Sequence, residues 1–428
     1  MQLPQYPRYE TYKPSGVDWI GDVPEDWQVS PGRACLYENK DKNTGMQEST
    51  VLSLSYGNVI VKPEEKLTGL VPESFETYQI VEPGDIIIRG TDLQNDVTSL
   101  RTGLAKDKGI ITSAYINLRP HDNVLPFYLH YVLHSYDVKK VFYGLGSGLR
   151  QNLSYEDFKY LDLPLPDITT QERIVAFLDD KANKIDRAVK IKEGQIALLR
   201  ERKQIIIQEA VTKGLNPAAP MKESGIDWIG QIPAHWTVDT LGSLLFPVSE
   251  KNHPDKTLLS VTREQGVIVR DVEDQESNHN FIPDDLSGYK LVRAGQFAMN
   301  KMKAWQGSYG ISEHTGIVSP AYFIFSMLKD FDGAFFNTAI RSKLYVTFFG
   351  QASDGVRIGQ WDLNKTRMKA IPFIYPSVEE QKEIVKHIEF EKAKIDDAIE
   401  LKERQIEALK EYKATLINAA VTGKIRVI

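Results

Sequence analysis

Cysteine is almost missing from this 428-residue sequence, which has one, Cys35. No intramolecular disulfide can form, and a reducing compartment is the expectation. The eight histidines are scattered, so with a lone thiol there is no zinc framework and no metal site is assigned. Long apolar runs are absent as well. None approaches the roughly 18 residues of a membrane span, and the opening "MQLPQYPRYE" lacks the charged and apolar parts of a signal peptide. A cytoplasmic protein without membrane contact is expected. An excess of positive charge is also missing. The net charge of −6 argues against a uniformly basic nucleic-acid surface, although distribution matters more than the total. Residues 1–100 hold eight Lys/Arg against sixteen Asp/Glu, while 101–150 hold seven against three.

Catalytic signatures are equally scarce. "FYGLG" (142–146) matches the F-x-G-x-G loop of S-adenosylmethionine methyltransferases, but no N/D-P-P-Y/F segment accompanies it. A DNA-modifying methyltransferase with its own cofactor site is therefore the weaker reading. No G-x-x-x-x-G-K-[ST] phosphate loop is present, which excludes P-loop ATP hydrolysis. Glu64-Glu65-Lys66 forms an E-x-K triplet without a well-placed aspartate, and no G-x-S-x-G elbow appears. The chain is read as non-catalytic, with no cofactor of its own.

What is present is a duplication. "SGVDWIGDVPEDWQV" (15–29) returns as "SGIDWIGQIPAHWTV" (224–238), nine of fifteen positions being identical. The 42 residues from Gln171, "QERIVAFLDDKANKIDRAVKIKEGQIALLRERKQIIIQEAVT", align without a gap to those from Gln381, 210 residues later. Two copies of about 210 residues are a duplicated module, not a solenoid of 20–50-residue repeats. The copies divide the chain into a region 1–165, a helix 166–213, a Gly/Pro/Ala linker 214–223, a second region 224–376 and a helix 377–428. The intervening regions read as mixed α/β, with short β-rich runs such as "DIIIRG" (85–90) and "AYFIFSML" (321–328).

The repeated helical segments contain no proline, and Gly194 is their one glycine. Thr169 or Thr170 is the expected N-cap of the first. Ser377 is that of the second, with Glu380 completing a capping box. Isoleucine recurs every eleven residues, at Ile174, Ile185, Ile196 and Ile207 and again at Ile384, Ile395, Ile406 and Ile417. Eleven residues over three turns is 3.67 per turn, the period of a nearly straight rod. One apolar stripe on each of two like helices is best buried by packing them together, the alternative being that each lies on its own domain.

Two kinds of segment look like recognition surfaces. "GSGLRQN" (146–152) presents Arg150, Gln151 and Asn152 after glycines, and "DGVRIGQ" (354–360) presents Arg357 and Gln360. "RGTDLQNDVTSLRTG" (89–103) offers Arg89, Gln94, Asn95 and Arg101, answered in the second copy by Lys301, Lys303, Trp305 and Gln306. Arginine pairs bidentately with guanine, and Gln or Asn with adenine, in the DNA major groove. Arg150 and Arg357 have a rival role, holding a turn through backbone carbonyls. Trp19, Trp27, Trp228 and Trp236 precede both variable regions and read as anchors of those regions to the helices. On that reading the first leader lies near the end of the second helix, so the termini meet.

The "S-G-[VI]-D-W-I-G-x-[VI]-P-x-x-W" leaders and the long helices ending in "AVTKGL" and "AVTGKI" resemble the specificity subunit of Type I restriction–modification systems, over essentially the whole chain. The resemblance implies two globular target recognition domains joined by two long antiparallel helices packed as a coiled-coil stalk, with pseudo-two-fold symmetry. It implies double-stranded DNA with a bipartite site as target, each domain reading one half and the stalk setting the spacer. It also implies two methylation subunits and restriction/translocase subunits as partners. S-adenosylmethionine and ATP/Mg would then belong to those partner chains, in a system of phage defence. A coiled-coil scaffold without DNA contact is the remaining alternative.

Overall fold

The computed structural model describes residues 6–63, 65, 74–96, 98–145, 151–271, 282–357 and 360–427. The chain divides into two compact units, Met1–Lys192 with Glu403–Ile428, and Glu193–Lys402. The divisions fall inside the long helices, not at their ends. Each unit therefore combines one recognition region with the start of one helix and the end of the other.

The recognition region of the first unit is built from short strands. Its centre is a four-stranded antiparallel sheet in the order Leu36–Glu38, Ile116–Pro120, Ile86–Ile88, Thr102–Leu104. Ile86, Ile87 and Ile88 are all buried, the pattern of a strand covered on both faces. Hairpin Leu52–Ser55/Asn58–Val61 and pair Gln79–Val81/Gly109–Ile111 flank the sheet, and helix Pro126–Val138 closes one side. The second unit repeats this plan in the order Leu245–Val248, Phe323–Met327, Phe297–Met299, Tyr309–Ile311. A single parallel bridge recurs 207 residues apart, Val51 with Ile110 and Leu258 with Ile317. The regions whose sequences barely align thus share one mixed α/β fold.

The long helices run Ile168–Lys213 and Val378–Val421. At about 1.5 Å per residue the first is roughly 69 Å long. Its cap differs from the expectation. Asp167, not Thr169 or Thr170, accepts hydrogen bonds from the Thr170 amide and hydroxyl, both at 2.9 Å. These bonds hold the Asp167 carboxyl below its usual range. Ser377 does cap the second helix, accepting from Glu380 N at 3.4 Å. The capping box is not closed, because the Glu380 carboxylate turns to Trp236 Nε1 and His235 Nε2.

The isoleucine stripe meets two kinds of partner. Near the helix ends, Ile174 and Ile417 join the core of the first recognition region, and Ile384 joins that of the second. Ile185, Ile196, Ile395 and Ile406 are buried further along, and Ile207 is half-buried. In the first unit Asp186 pairs with Lys413 and Lys192 donates to Gln405, so residue numbers rise on one helix as they fall on the other. The helices are antiparallel. The Asp186–Lys413 pair (2.7 Å) returns in the second unit as Asp396–Lys203 (2.7 Å), the same two positions exchanged by the 210-residue repeat. Such part-exposed pairs stabilise little, but their reciprocity sets the register.

Each helix ends on a glycine in the left-handed region, Gly214 and Gly423, both with φ near +70°. A Cβ on Gly423 would collide with Pro24 at 2.3 Å, and one on Gly214 would press on Trp236 at 3.3 Å. Each leader is therefore seated on the end of the helix from the other copy. Tyr12 OH donates to Gly423 O (3.0 Å) and Arg426 N to Pro7 O (2.7 Å), so the N- and C-terminal segments meet. No described helix is long and apolar enough to cross a membrane.

Two glycines should respond oppositely to one methyl group. Gly194 is exposed in mid-helix with open space around its missing Cβ, so Gly194→Ala should stabilise by about 0.5–1 kcal/mol in chemical denaturation. Gly423→Ala should destabilise by more than about 1 kcal/mol, through backbone strain and the collision with Pro24.

Candidate nucleic-acid interface

In each unit the structure brings together the two loops that the sequence singles out. In the first unit the loop leaving strand Ile86–Ile88 meets the segment that follows helix Pro126–Val138. Leu153 N donates to Gly90 O (2.7 Å) and Asp92 N to Asn152 Oδ1 (2.9 Å). In the second unit the loop leaving Phe297–Met299 meets the hairpin Ser353–Arg357/Gln360–Leu363. Leu363 N donates to Lys301 O (3.1 Å), Lys301 pairs with Asp362 (3.0 Å), and Trp305 stacks on Trp361 at 5.3 Å and 28°. Both clusters lie at the same end of equivalent strands.

The first loop is held from beneath by Arg101, and this corrects its reading as a DNA contact. Arg101 is wholly buried. It donates to the carbonyls of Arg89, Thr91, Asp92 and Asp96 and packs on the Tyr143 ring, while Tyr143 OH donates to Asp96 O. Arg101 thus plays, for its own loop, a turn-holding role like the one raised for Arg150 and Arg357. Asp137 receives the Arg101 and Thr102 amides. Burial pushes its carboxyl up, and those two amides and nearby cations oppose the shift. The buried guanidinium is satisfied by carbonyls of its own loop, and the buried carboxylate by the two amides at the loop's end.

The remaining candidates occupy the outer surface to different degrees. Gln94, Asn95, Gln151, Asn152 and Lys303 are exposed. Asn95 bonds to Asp92, and Asn152 receives the Asp92 amide, so both also hold the loop. Arg89 is half-buried and paired with Asp96 at 3.1 Å. Trp305 and Gln306 are half-buried, and the Trp305 indole N–H is out of solvent without an acceptor among the described residues. Arg150 lies outside the described residues. Arg357 and Gln360 face each other across the hairpin by their backbones, and their side chains are likewise outside the description. Among the described residues no three His, Cys, Asp or Glu side chains are grouped to hold a metal.

The four tryptophans separate into two kinds. Trp27 and Trp236 are buried against the helix ends. Trp19 and Trp228 are not buried anchors, being 37% and 61% exposed. Trp19 touches Tyr136 edge-on at 6.3 Å, and Trp228 leans on Phe348 at 6.4 Å. Sequence reasoning missed the anchors that matter most, Gln171 and Gln381. Both are wholly buried. Gln171 accepts from Leu125 N (2.8 Å) and donates to Pro166 O (2.9 Å); Gln381 accepts from Asp332 N (2.9 Å) and donates to Pro376 O (3.0 Å). The signal was available, since each opens its copy of the helical repeat.

Comparison with known proteins shows what the chain is similar to. Residues 41–198 match the family model described as Type I restriction modification DNA specificity domain. Two relatives come from Methanocaldococcus jannaschii. One, provisionally named the type I restriction enzyme MjaX specificity subunit, is 25% identical over 99% of both chains. The other, the type I restriction enzyme MjaVIII specificity subunit, is 26% identical over 75% of each. Over its whole length the chain is similar to Type I restriction–modification specificity subunits. A solved chain from work on complex assembly and conformational transition of the type I R-M system has the same fold. The match covers 93% of this chain and 98% of that one, with a TM-score of 0.64 at 13% identity. The matched residues run from the first recognition region into the first long helix.

Acid should loosen the first recognition region. His130 and His134 on helix Pro126–Val138 are held neutral by burial, their pKa values pushed down to about 3 and about 4. The folded values lie below the ordinary 6.5, so this stability is complete above pH 6.5 and is lost as pH falls toward them. Each group should contribute a slope of up to about 1.4 kcal/mol per pH unit. Urea unfolding from pH 7 to pH 5 should show that slope, and His130→Gln with His134→Gln should flatten it.

Proposed function

We propose that this chain is a specificity subunit that reads a bipartite double-stranded DNA site, one recognition domain per half-site, and that its long helices set the unread spacer. The observation that carries this reading is the pair of loop clusters at equivalent strand ends, polar and divergent at their tips over one common frame. Support shared by the two copies, with unlike tips, is what two readers of different sequences need. Direct readout places Gln, Asn, Lys and Arg side chains at base edges in the major groove, and Gln94, Gln151 and Lys303 are exposed for that. A helix of roughly 69 Å matches about two turns of B-DNA, at 34–36 Å per turn, so its length suits a ruler between half-sites.

The chain also serves as scaffold. Methylation subunits, two in number, would supply S-adenosylmethionine chemistry, and restriction/translocase subunits would supply ATP-driven cleavage, with the specificity subunit contributing no catalytic group. Partner chains would neutralise many of the phosphates, consistent with a subunit whose own net charge is −6. The complex would act in the cytoplasm, where its target is.

Exchanging residues 30–165 for those of a relative should change one half of the methylated motif in genome-wide adenine-methylation mapping; a change in both halves contradicts one reader per domain. Adding one helical turn to both long helices should lengthen the spacer and leave both half-sites intact. Transfer of labelled methyl groups to DNA by the isolated chain would replace this reading with a methyltransferase.

A further inference from the structure

We infer that Tyr56, at the tip of the hairpin Leu52–Ser55/Asn58–Val61, is a stacking contact of the first recognition domain with its DNA half-site. The inference rests on the DNA-reading function and names a residue that no motif marks.

Tyr56 is a large aromatic residue left 93% exposed. Its backbone is also unfavourable. Ser55 pairs with Asn58 across a two-residue connection, in which Tyr56 and Gly57 both have positive φ, 48° and 76°. Turns of this kind favour Asn, Asp or Gly at the first position, and a bulky residue there is strained. The fold thus carries an exposed aromatic face and a strained backbone at one position, where Asn58 Nδ2 donates to the Tyr56 carbonyl (3.2 Å) and the ring itself has no hydrogen-bond partner among the described residues. Such residues cluster at binding sites.

The tip is also placed beside the candidate interface. A Cβ on Gly57 would lie 2.9 Å from Leu100 Cδ1 and 3.6 Å from Thr102 O, so Gly57 is pressed against the far end of the loop 89–101 and Tyr56 must point outward. Lys106, exposed, lines the same cleft as Ser55, Tyr56 and Asn58, placing a cation where a phosphate would pass.

The second recognition domain makes the contrast. Its equivalent hairpin, Leu259–Thr262/Gly266–Val269, has no aromatic tip. The carbonyls of Arg263 and Glu264 there accept from the Arg341 guanidinium. The frame is shared and the tip residue is not, as with the loops that read sequence. Aromatic side chains stack on or wedge between bases, and such a contact is worth about 5- to 150-fold in affinity.

The test uses the full chain with its co-purifying subunits and duplexes carrying the mapped bipartite site, with 2-aminopurine in the first half-site. Tyr56→Phe should bind like the unaltered chain and raise 2-aminopurine fluorescence equally. Tyr56→Ala should bind roughly 5- to 150-fold more weakly, without the fluorescence rise. Tyr56→Asn, which suits the turn, should raise the thermal midpoint while weakening binding, a split that a merely structural tyrosine would not produce. Substituting bases in the second half-site should weaken all variants alike. Specific binding by the unaltered chain, with Tyr56→Ala and Tyr56→Asn within twofold of it, overturns this inference and leaves the DNA-reading function standing. No preference of the unaltered chain for the mapped site over a scrambled duplex overturns both.

Discussion

A buried glutamine at the start of each long helix is the constraint on which the architecture depends. Gln171 and Gln381 insert a neutral amide between the first helical turn and the recognition domain, and each satisfies a backbone N–H and a backbone carbonyl. A buried unpaired amide or carbonyl costs about 1–3 kcal/mol, so the domain cannot turn on its helix without leaving such groups unpaired. Trp27 and Trp236 close the same joints from the other side, packed on the glycine that ends the opposite helix. A helix can measure a distance only if what it carries is fixed to it, and these contacts fix it twice.

The recognition loops obey a second rule, a rigid interior beneath a free exterior. Arg101 spends its guanidinium on four carbonyls of its own loop, and Asp137 secures the strand that follows. With the backbone held from within, tip residues such as Gln94 and Gln151 bear no structural load and are free to differ. The second domain reaches the same end by other means, through the Trp305–Trp361 stack and the Lys301–Asp362 pair. Shared frame and unlike tips explain why the two regions barely align while their strand orders coincide.

Much of this was legible in the sequence. The leaders and helices repeat because both joints and both helices face the same packing problem, and the eleven-residue isoleucine period records a helix buried along one stripe. The candidate loops were found from polar residues between glycines. Individual roles were not legible. Arg101 and Gln94 belong to the same polar segment, yet one is wholly buried and the other exposed. Trp19 and Trp27 share one motif, and only Trp27 is enclosed. Side-chain type reports what a residue can bond to, not which groups folding brings within reach.

By itself the sequence determined the duplication, the two long helices and the place of the variable regions, because each rests on periodicity or on repeated local pattern. Tertiary structure decided the rest. It chose Asp167 over the neighbouring threonines as cap and turned Glu380 from a capping box to Trp236. It also buried Arg101 under its own loop and left Tyr56 bare at a strained turn. Each of these outcomes turns on a contact between segments distant in sequence or on the direction a side chain takes. Those distances exist only once the chain has closed on itself.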